Sequence, residues 1–292
     1  MSLRITPLTD PAHRPHDRRH AWLATDADSI PAGTAFLRLF NGGQEHLADL
    51  DIRVHPAERR KGVGSRLLNT AVAAARDNDR RSVVAQAEAG SPGDHFLASR
   101  GFRNVLTLRF TRLSLADVDT ALLTEIIERS HPGYRLMSWQ GTVPDELAQT
   151  FAASRRAMDD MPMDDTDSGT VTWDMDRVRA AAKAVEQRGD HLHTVVAVDA
   201  SNGSIAGFTE LVIPGNGVGD GQHYGTGVLP EHRGHGLGRW MKAESIRQAQ
   251  RDYPDLGGLL TDTADSNTHM RHINDSLGYT PTHTTHQHQL DL

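Results

Sequence analysis

The chain of 292 residues contains no cysteine, which excludes disulfides, thiolate metal sites and cysteine nucleophiles. Only three of its 31 basic residues are lysines, Lys61, Lys183 and Lys242, and aromatic residues make up 5%. No segment approaches the roughly 20 apolar residues of a membrane span, and the N-terminus (Met1-Ser2-Leu3-Arg4) has no apolar leader, so the expectation is a cytoplasmic chain without a membrane partner. With 37% hydrophobic and 24% charged residues the composition is that of a globular chain with room for one large or two ordinary domains. Net charge is +2 up to Ser130 and −9 beyond it. An acidic second half argues against nucleic acid, which needs clustered positive charge, and suits a cationic small molecule.

What is present is a repeat. Asp51–Gly64 (DIRVHPAERRKGVG) parallels Tyr224–Gly238 (YGTGVLPEHRGHGLG), the two glycines Gly62 and Gly236 lying 174 positions apart. Each copy predicts a strand ending in valine, then a proline, an arginine, a Gly-x-Gly pair and a helix. Each is followed by Gly-aromatic, Gly101-Phe102 and Gly278-Tyr279. So long a period means two similarly folded domains. Val63, Leu67, Leu68, Ala71, Val72 and Ala75 form one apolar helical stripe, and Leu237, Met241, Ala243, Ile246 and Ala249 a looser one. Strands are predicted at Ser82–Ala87 and Leu259–Thr263. Upstream, Thr194–Asp199 and Ile205–Ile213 flank Asn202-Gly203, a strong hairpin signal, with Ala21–Ala24 and Thr34–Phe40 as the weaker first-half counterpart. The chain thus reads as α/β, with mixed sheets and a crossing segment at Leu115–Pro132. The domains are expected at 1–130 and 131–292.

The glycine turns carry chemistry. Arg59-x-x-Gly62-x-Gly64 and Arg233-x-x-Gly236-x-Gly238 each lie between strand and helix. Backbone N–H groups can converge there without Cβ atoms in the way, and the helix end adds unpaired donors for a diphosphate. Neither turn contains the Gly-Lys-Ser/Thr of a P-loop, and Gly234, Gly236 and Gly238 lack the spacing of a dinucleotide fingerprint.

On these residues the chain resembles the GNAT superfamily of N-acetyltransferases, as a tandem pair of actinobacterial type similar in layout to mycothiol synthase. The resemblance implies two GNAT domains, each a mixed, mostly antiparallel twisted sheet flanked by helices. It implies acetyl-CoA as co-substrate, its pantetheine arm lying as a pseudo-strand in a gap between the fourth and fifth strands. Carried over residue by residue, Thr226, Gly227 and Val228 bond the arm and acyl carbonyl through their backbone. Arg233, Gly234, His235, Gly236, Leu237, Gly238 and Arg239 surround the diphosphate, and Asn267 contacts the arm. Four residues before the Gly-aromatic, where many members carry a tyrosine acid, stand Leu97 and Asn274. Asn274 can hydrogen-bond CoA and Leu97 cannot. Gly90 stands where the second half has Asn267. Catalysis is therefore expected in the second domain, with the first a degenerate copy whose own turn is intact.

The implied reaction is direct attack of a small-molecule amine on the thioester. Candidate acid–base residues are Glu210 on Ile205–Ile213, Asp262 on the fifth strand, and Tyr224 as acid, with His223 as a further base. The run Asp159–Trp173, rich in aspartate with Met161, Met163 and Trp173, is expected to line the acceptor site. His232/His235 and His269/His272 have helical i,i+3 spacing, but without cysteine or a third converging ligand no metal is expected. The tail Gln287–Leu290 reads as an alternating last strand. The oligomeric expectation is monomer or homodimer. A non-catalytic acyl-CoA-binding protein, another acyl donor and a hydroxyl acceptor are compatible with the same turn.

Overall fold

The computed structural model describes residues 3–9, 18–40, 43–162, 164–166 and 172–292. They form two compact units, Met1–Thr107 with Met163–Val171 and Thr284–Leu292, and Leu108–Pro162 with Thr172–His283. The division thus falls at Thr107/Leu108 rather than near residue 130. The reason lies in the connecting segment. Leu123 and Ile126 of helix α3 (Thr120–Glu128) bury themselves against Ala243 and Ile246, so this helix is part of the second unit's core. The chain's last nine residues return to the first unit.

The first unit contains strands β1 (Arg4–Leu8), β2 (Arg18–Thr25), β3 (Pro31–Leu39), β4 (Leu47–Val54) and β5 (Ser82–Glu88), helices α1 (Val63–Arg76) and α2 (Pro92–Ser99), and the start of β6 (Arg103–Ser114). The C-terminal part of β12 (Thr280–Asp291) pairs antiparallel with β5 from Thr285 opposite Glu88 to Asp291 opposite Ser82. Neighbours β1 to β4 are antiparallel, and β4–β5 is the parallel pair. A parallel pair needs a crossover, and α1 supplies it. Its predicted stripe packs Leu67, Leu68, Ala71 and Ala75 on Leu37, Leu39, Leu50 and Val83.

The second unit repeats this plan with β7 (Tyr134–Gln140), α4 (Asp145–Ser154), α5 (Met175–Glu186), β8 (His191–Asp199), β9 (Ile205–Ile213), β10 (Gly219–Val228), α6 (Leu237–Asp252), β11 (Leu256–Ala264) and α7 (Thr268–Ser276). Its sheet runs β7-β8-β9-β10-β11-β6, antiparallel except for β10–β11. β9 is buried along its whole length because helices cover both faces: Phe208 packs with Phe151 and Val178, and Ala206 with Leu237 and Met241. Helix α4 passes directly into a 3-10 turn at Arg155–Met158. The apolar stripe of α6 looked loose for a physical reason. Nearly all of Leu237–Ile246 is buried, polar residues included, because α3 covers a further side of the helix. Among the described residues no helix is long and apolar enough to cross a membrane.

In the first unit β5 pairs with β4 only over Ser82–Val84, so its order rests on β12. Deleting Thr284–Leu292 should therefore accelerate amide exchange across Ser82–Glu88, measured by hydrogen-exchange mass spectrometry. Unchanged protection there would contradict the pairing.

Candidate active site

β10 and β11 pair in parallel only from Gly219 to Gln222 on one strand and Leu256 to Leu260 on the other. Beyond that point they part. β10 stays with β9 as far as Val228, after a bulge at Tyr224, and β11 stays with β6 as far as Ala264. The facing edges therefore carry backbone N–H and C=O groups without strand partners. Such edges accept an extended polar chain as an added strand. The first unit parts its strands in the same way after Asp49 and Val84.

At the open end of β10 the chain makes a 3-10 turn (Pro230–His232), passes Arg233 and enters α6 through Gly236. Gly234 and Gly236 have φ of 82° and 75°, a left-handed conformation that disfavours a side chain. No side chain caps the helix, so the first-turn N–H groups face the turn unpaired. Arg233–Gly236 are exposed and Leu237 is buried as the helix's anchor. The guanidinium of Arg233, though exposed, is engaged within the protein. Its Nε donates to the Val228 carbonyl (3.0 Å) and its other nitrogens bind both oxygens of Asp160 (2.6 and 2.7 Å). Arg156 pairs with Glu231 on the same turn. Arg233 therefore fixes the turn instead of being free for a ligand. Arg239 is partly buried next in line on α6.

Of the strand residues, Thr226 shares a hydroxyl–hydroxyl hydrogen bond with Thr209 (2.7 Å). Gly227 permits a close approach: a Cβ there would lie 3.0 Å from Ala157 Cβ and 3.1 Å from Met158 Sδ. Asn267 caps α7, its Oδ1 accepting the Met270 N–H (3.1 Å). That cap does not use its Nδ2 hydrogens. Asn274 is different. It is 1% exposed, accepts from Lys242 Nζ (2.7 Å) and donates to Thr263 Oγ1 (3.3 Å), so its amide is committed internally.

Lys242 was not legible as a site residue. It is fully buried on α6, and its ammonium lies 4.8 Å from the Tyr279 ring centroid. Burial lowers its pKa to about 7, against the opposing charge of Asp262. Tyr279 in turn hydrogen-bonds His223 Nε2 (2.9 Å). His223 is buried at the first β10 position past the parting. Desolvation, reinforced by Lys242, holds its pKa well below the ordinary value, so the imidazole is neutral. The first unit offers leucine at the matching places. Leu50 is the first residue past its own parting, Leu68 is six residues after Gly62 as Lys242 is after Gly236, and Leu97 is four before Gly101. All three are buried in its apolar core.

The three acid–base candidates separate. Glu210 is buried and hydrogen-bonded to Arg155, whose guanidinium carbon lies 4.5–4.7 Å from the ring centroids of Phe208, Phe151 and Trp173. Its charge is cancelled. Tyr224 projects outward at the bulge, its hydroxyl accepting from Arg188 (2.8 Å). Asp262 lies on β11 past the parting. Its side chain is exposed, yet the surrounding protein mass desolvates it enough to raise its pKa, more than Lys242 lowers it. It is thus a carboxylate that is both accessible and crowded.

The acidic run is divided. Asp160 belongs to the second unit and holds Arg233, whereas Asp164–Thr166 belong to the first, where Asp165 N–H donates to the Val105 carbonyl (3.1 Å). Trp173 is spent on Arg155, and Met163 and residues 167–171 lie outside the described residues. His269 and His272 are exposed on α7. Among the described residues one group has metal-ligand composition: Asp94, His286 and His288. Its geometry is that of hydrogen bonds, His286 Nδ1 and His288 Nε2 lying 3.0 and 2.6 Å from one Asp94 oxygen. His288 Nδ1 is buried without a partner, whereas a metal-ligating imidazole ordinarily donates its second N–H. Burial would raise the Asp94 pKa, but the Gly90 N–H and the two imidazoles outweigh it and hold it at about 2. The cluster clasps β12 to α2.

Fold and site together define a tandem α/β transferase, each unit presenting an edge-lined crevice closed by a helix N-terminus. The chain belongs to the acetyltransferase (GNAT) family, whose sequence profile matches residues 3–102 and 156–279, and it is an N-acetyltransferase of that type. It is 31% identical over 246 residues to a mycothiol acetyltransferase of an Arthrobacter species, spanning 79% of this chain and 68% of that one. It is 28% identical over 236 residues to a mycothiol acetyltransferase of Thermobifida fusca (77% and 69%). Among solved structures, a tandem GNAT protein from the clavulanic acid biosynthesis pathway superposes with a TM-score of 0.79 at 22% identity, covering 99% of this chain and 98% of that one.

Removing one member of a buried ion pair strands the other. Glu210→Ala should thus cost about 3–5 kcal/mol in urea unfolding, and replacing Glu210 and Arg155 together with apolar residues should recover much of it. A single substitution without effect would show that the pair is not sealed from water.

Proposed function

We propose that the second unit transfers an acetyl group from acetyl-CoA to the amine of a small cationic molecule, by direct attack within a ternary complex. One observation carries the choice of unit: the polar set His223, Lys242 and Asn274 past the parting of β10 and β11, where the first unit has Leu50, Leu68 and Leu97. The first unit then serves as a degenerate platform.

In this reading the N–H groups of the α6 turn hold the diphosphate, and the free edge of β10 at Thr226–Val228 holds the arm. The neutral amine attacks the thioester carbon, the C–N bond forms, and backbone N–H groups near Gly227 and Val228 stabilise the oxyanion. The C–S bond then breaks with CoA leaving as its thiolate, and Asp262 takes the ammonium proton, its raised pKa lying closer to working pH than that of an ordinary carboxylate. Glu210, paired with Arg155, shapes the acceptor wall instead of accepting the proton. Tyr224 is exposed at the bulge of β10 with its hydroxyl held by Arg188, and is the candidate acid for the departing thiolate.

Steady release of free CoA from acetyl-CoA with a panel of amines tests the reading. Binding without turnover for every amine would reduce the site to a sensor. Gly236→Glu should abolish CoA binding, because a carboxylate would enter the diphosphate cradle at a left-handed position. Gly62→Glu should leave turnover in place.

A base must be ionised to act, so kcat/KM should rise as pH climbs through the raised pKa of Asp262. Asp262→Asn should remove that acid limb and lower kcat by about 10²–10⁴-fold. A limb unchanged in the variant would assign the proton to another group.

A further inference from the structure

The turn at Gly236 differs from its counterpart at Gly62 in what stands beside it. A Cβ on Gly62 would meet nothing within 4 Å, whereas one on Gly236 would lie 3.6 Å from His131 Nε2. His131 comes from the segment after α3, remote in sequence from the glycine motif. Its ring stacks on the indole of Trp240 in α6, with centroids 4.0 Å apart and planes 10° from parallel. That indole is itself fixed, its Nε1–H donating to the Ile127 carbonyl (3.1 Å).

Orientation follows from hydrogen bonding. His131 Nδ1 lies 2.8 Å from the Arg129 carbonyl, which can only accept, so Nδ1 carries the hydrogen. In the neutral ring Nε2 is then a bare lone pair, and it is this atom that borders the cradle. Desolvation and the neighbouring Arg129 both disfavour the cation, with the carbonyl hydrogen bond opposing them, so the free protein holds the ring neutral near pH 7.

We propose that His131 is a binding residue for the diphosphate, taking up a proton at Nε2 as the anion enters and donating that hydrogen to a phosphoryl oxygen. This rests on the acetyl-CoA reading above. A lone pair facing phosphoryl oxygens repels them, and an imidazolium at the same place attracts them. The anion raises the pKa of the ring from a free value below the usual one, so binding is linked to protonation. Affinity is highest at low pH and falls as pH rises through the pKa of the bound state. Groups around the ring are Arg129 on its own segment, Trp240 and Gly236 on α6, and Tyr134 of β7, whose N–H donates to the His131 carbonyl. The other imidazoles of the turn, His232 and His235, lie against the Tyr134 ring.

The test uses 3′-dephospho-CoA, whose diphosphate has no proton to exchange near neutrality. Titration calorimetry in buffers of different ionisation enthalpy counts the protons taken up, and the dissociation constant is followed with pH. For the unaltered chain, net uptake and a roughly five- to tenfold weaker affinity at about pH 8 than at about pH 6 are expected. His131→Phe keeps the stack on Trp240 and should abolish both the uptake and the slope. His131→Gln, an uncharged donor of similar reach, should bind without the slope. Uptake that persists in both variants, or binding by the unaltered chain with no uptake, would overturn the assignment while leaving the cofactor reading intact. No binding of either CoA or dephospho-CoA at any pH would overturn both.

Discussion

The structure depends on the point where one parallel strand pair comes apart. In each unit all neighbours are antiparallel save β4–β5 and β10–β11, and only a parallel pair requires a helix to cross between its members. That helix must begin near where the first strand ends, which sets its unpaired N–H groups at the mouth of the gap between the strands. The strand gap and the uncapped helix start are thus two results of one topological choice. The glycines at 234 and 236 let the chain turn sharply enough to join them.

What the two units put behind that gap differs. Leucines in the first unit complete an apolar core of the ordinary kind. In the second, Lys242, His223, Asn274, Thr263 and Tyr279 form a buried polar assembly, held by side-chain hydrogen bonds and by the Lys242–Tyr279 ring contact. Burying such groups is unfavourable unless they are partnered, and here desolvation drives Lys242 and His223 toward neutrality. The remaining charge of Lys242 is felt by Asp262. An exposed carboxylate is thereby coupled to a sealed interior.

The segment after α4 follows another logic. The ion pairs Arg156–Glu231 and Arg233–Asp160 tie the segment after α4 to the glycine turn, and Arg155–Glu210 ties it to β9. Charges that looked available in the sequence are thus largely spent on architecture. These pairs fix the surface beside β10, where Met158 packs near Gly225 and Gly227.

The repeat, both glycine turns, the long helix after each, the hairpin at Asn202-Gly203 and the strand Ile205–Ile213 were legible from the sequence alone. All are local: they depend on backbone permissiveness, hydrophobic period and neighbours a few residues away. Asp262 was visible only as a position on a predicted strand, its exposure and raised pKa not. Tertiary structure decided the remainder. It paired Glu210 with Arg155 from 55 residues earlier, sank Lys242 and Asn274 out of solvent, returned the last strand to the first unit, and laid His131 over Gly236. Burial and long-range pairing set charge state and accessibility, and neither leaves a periodic mark on the chain.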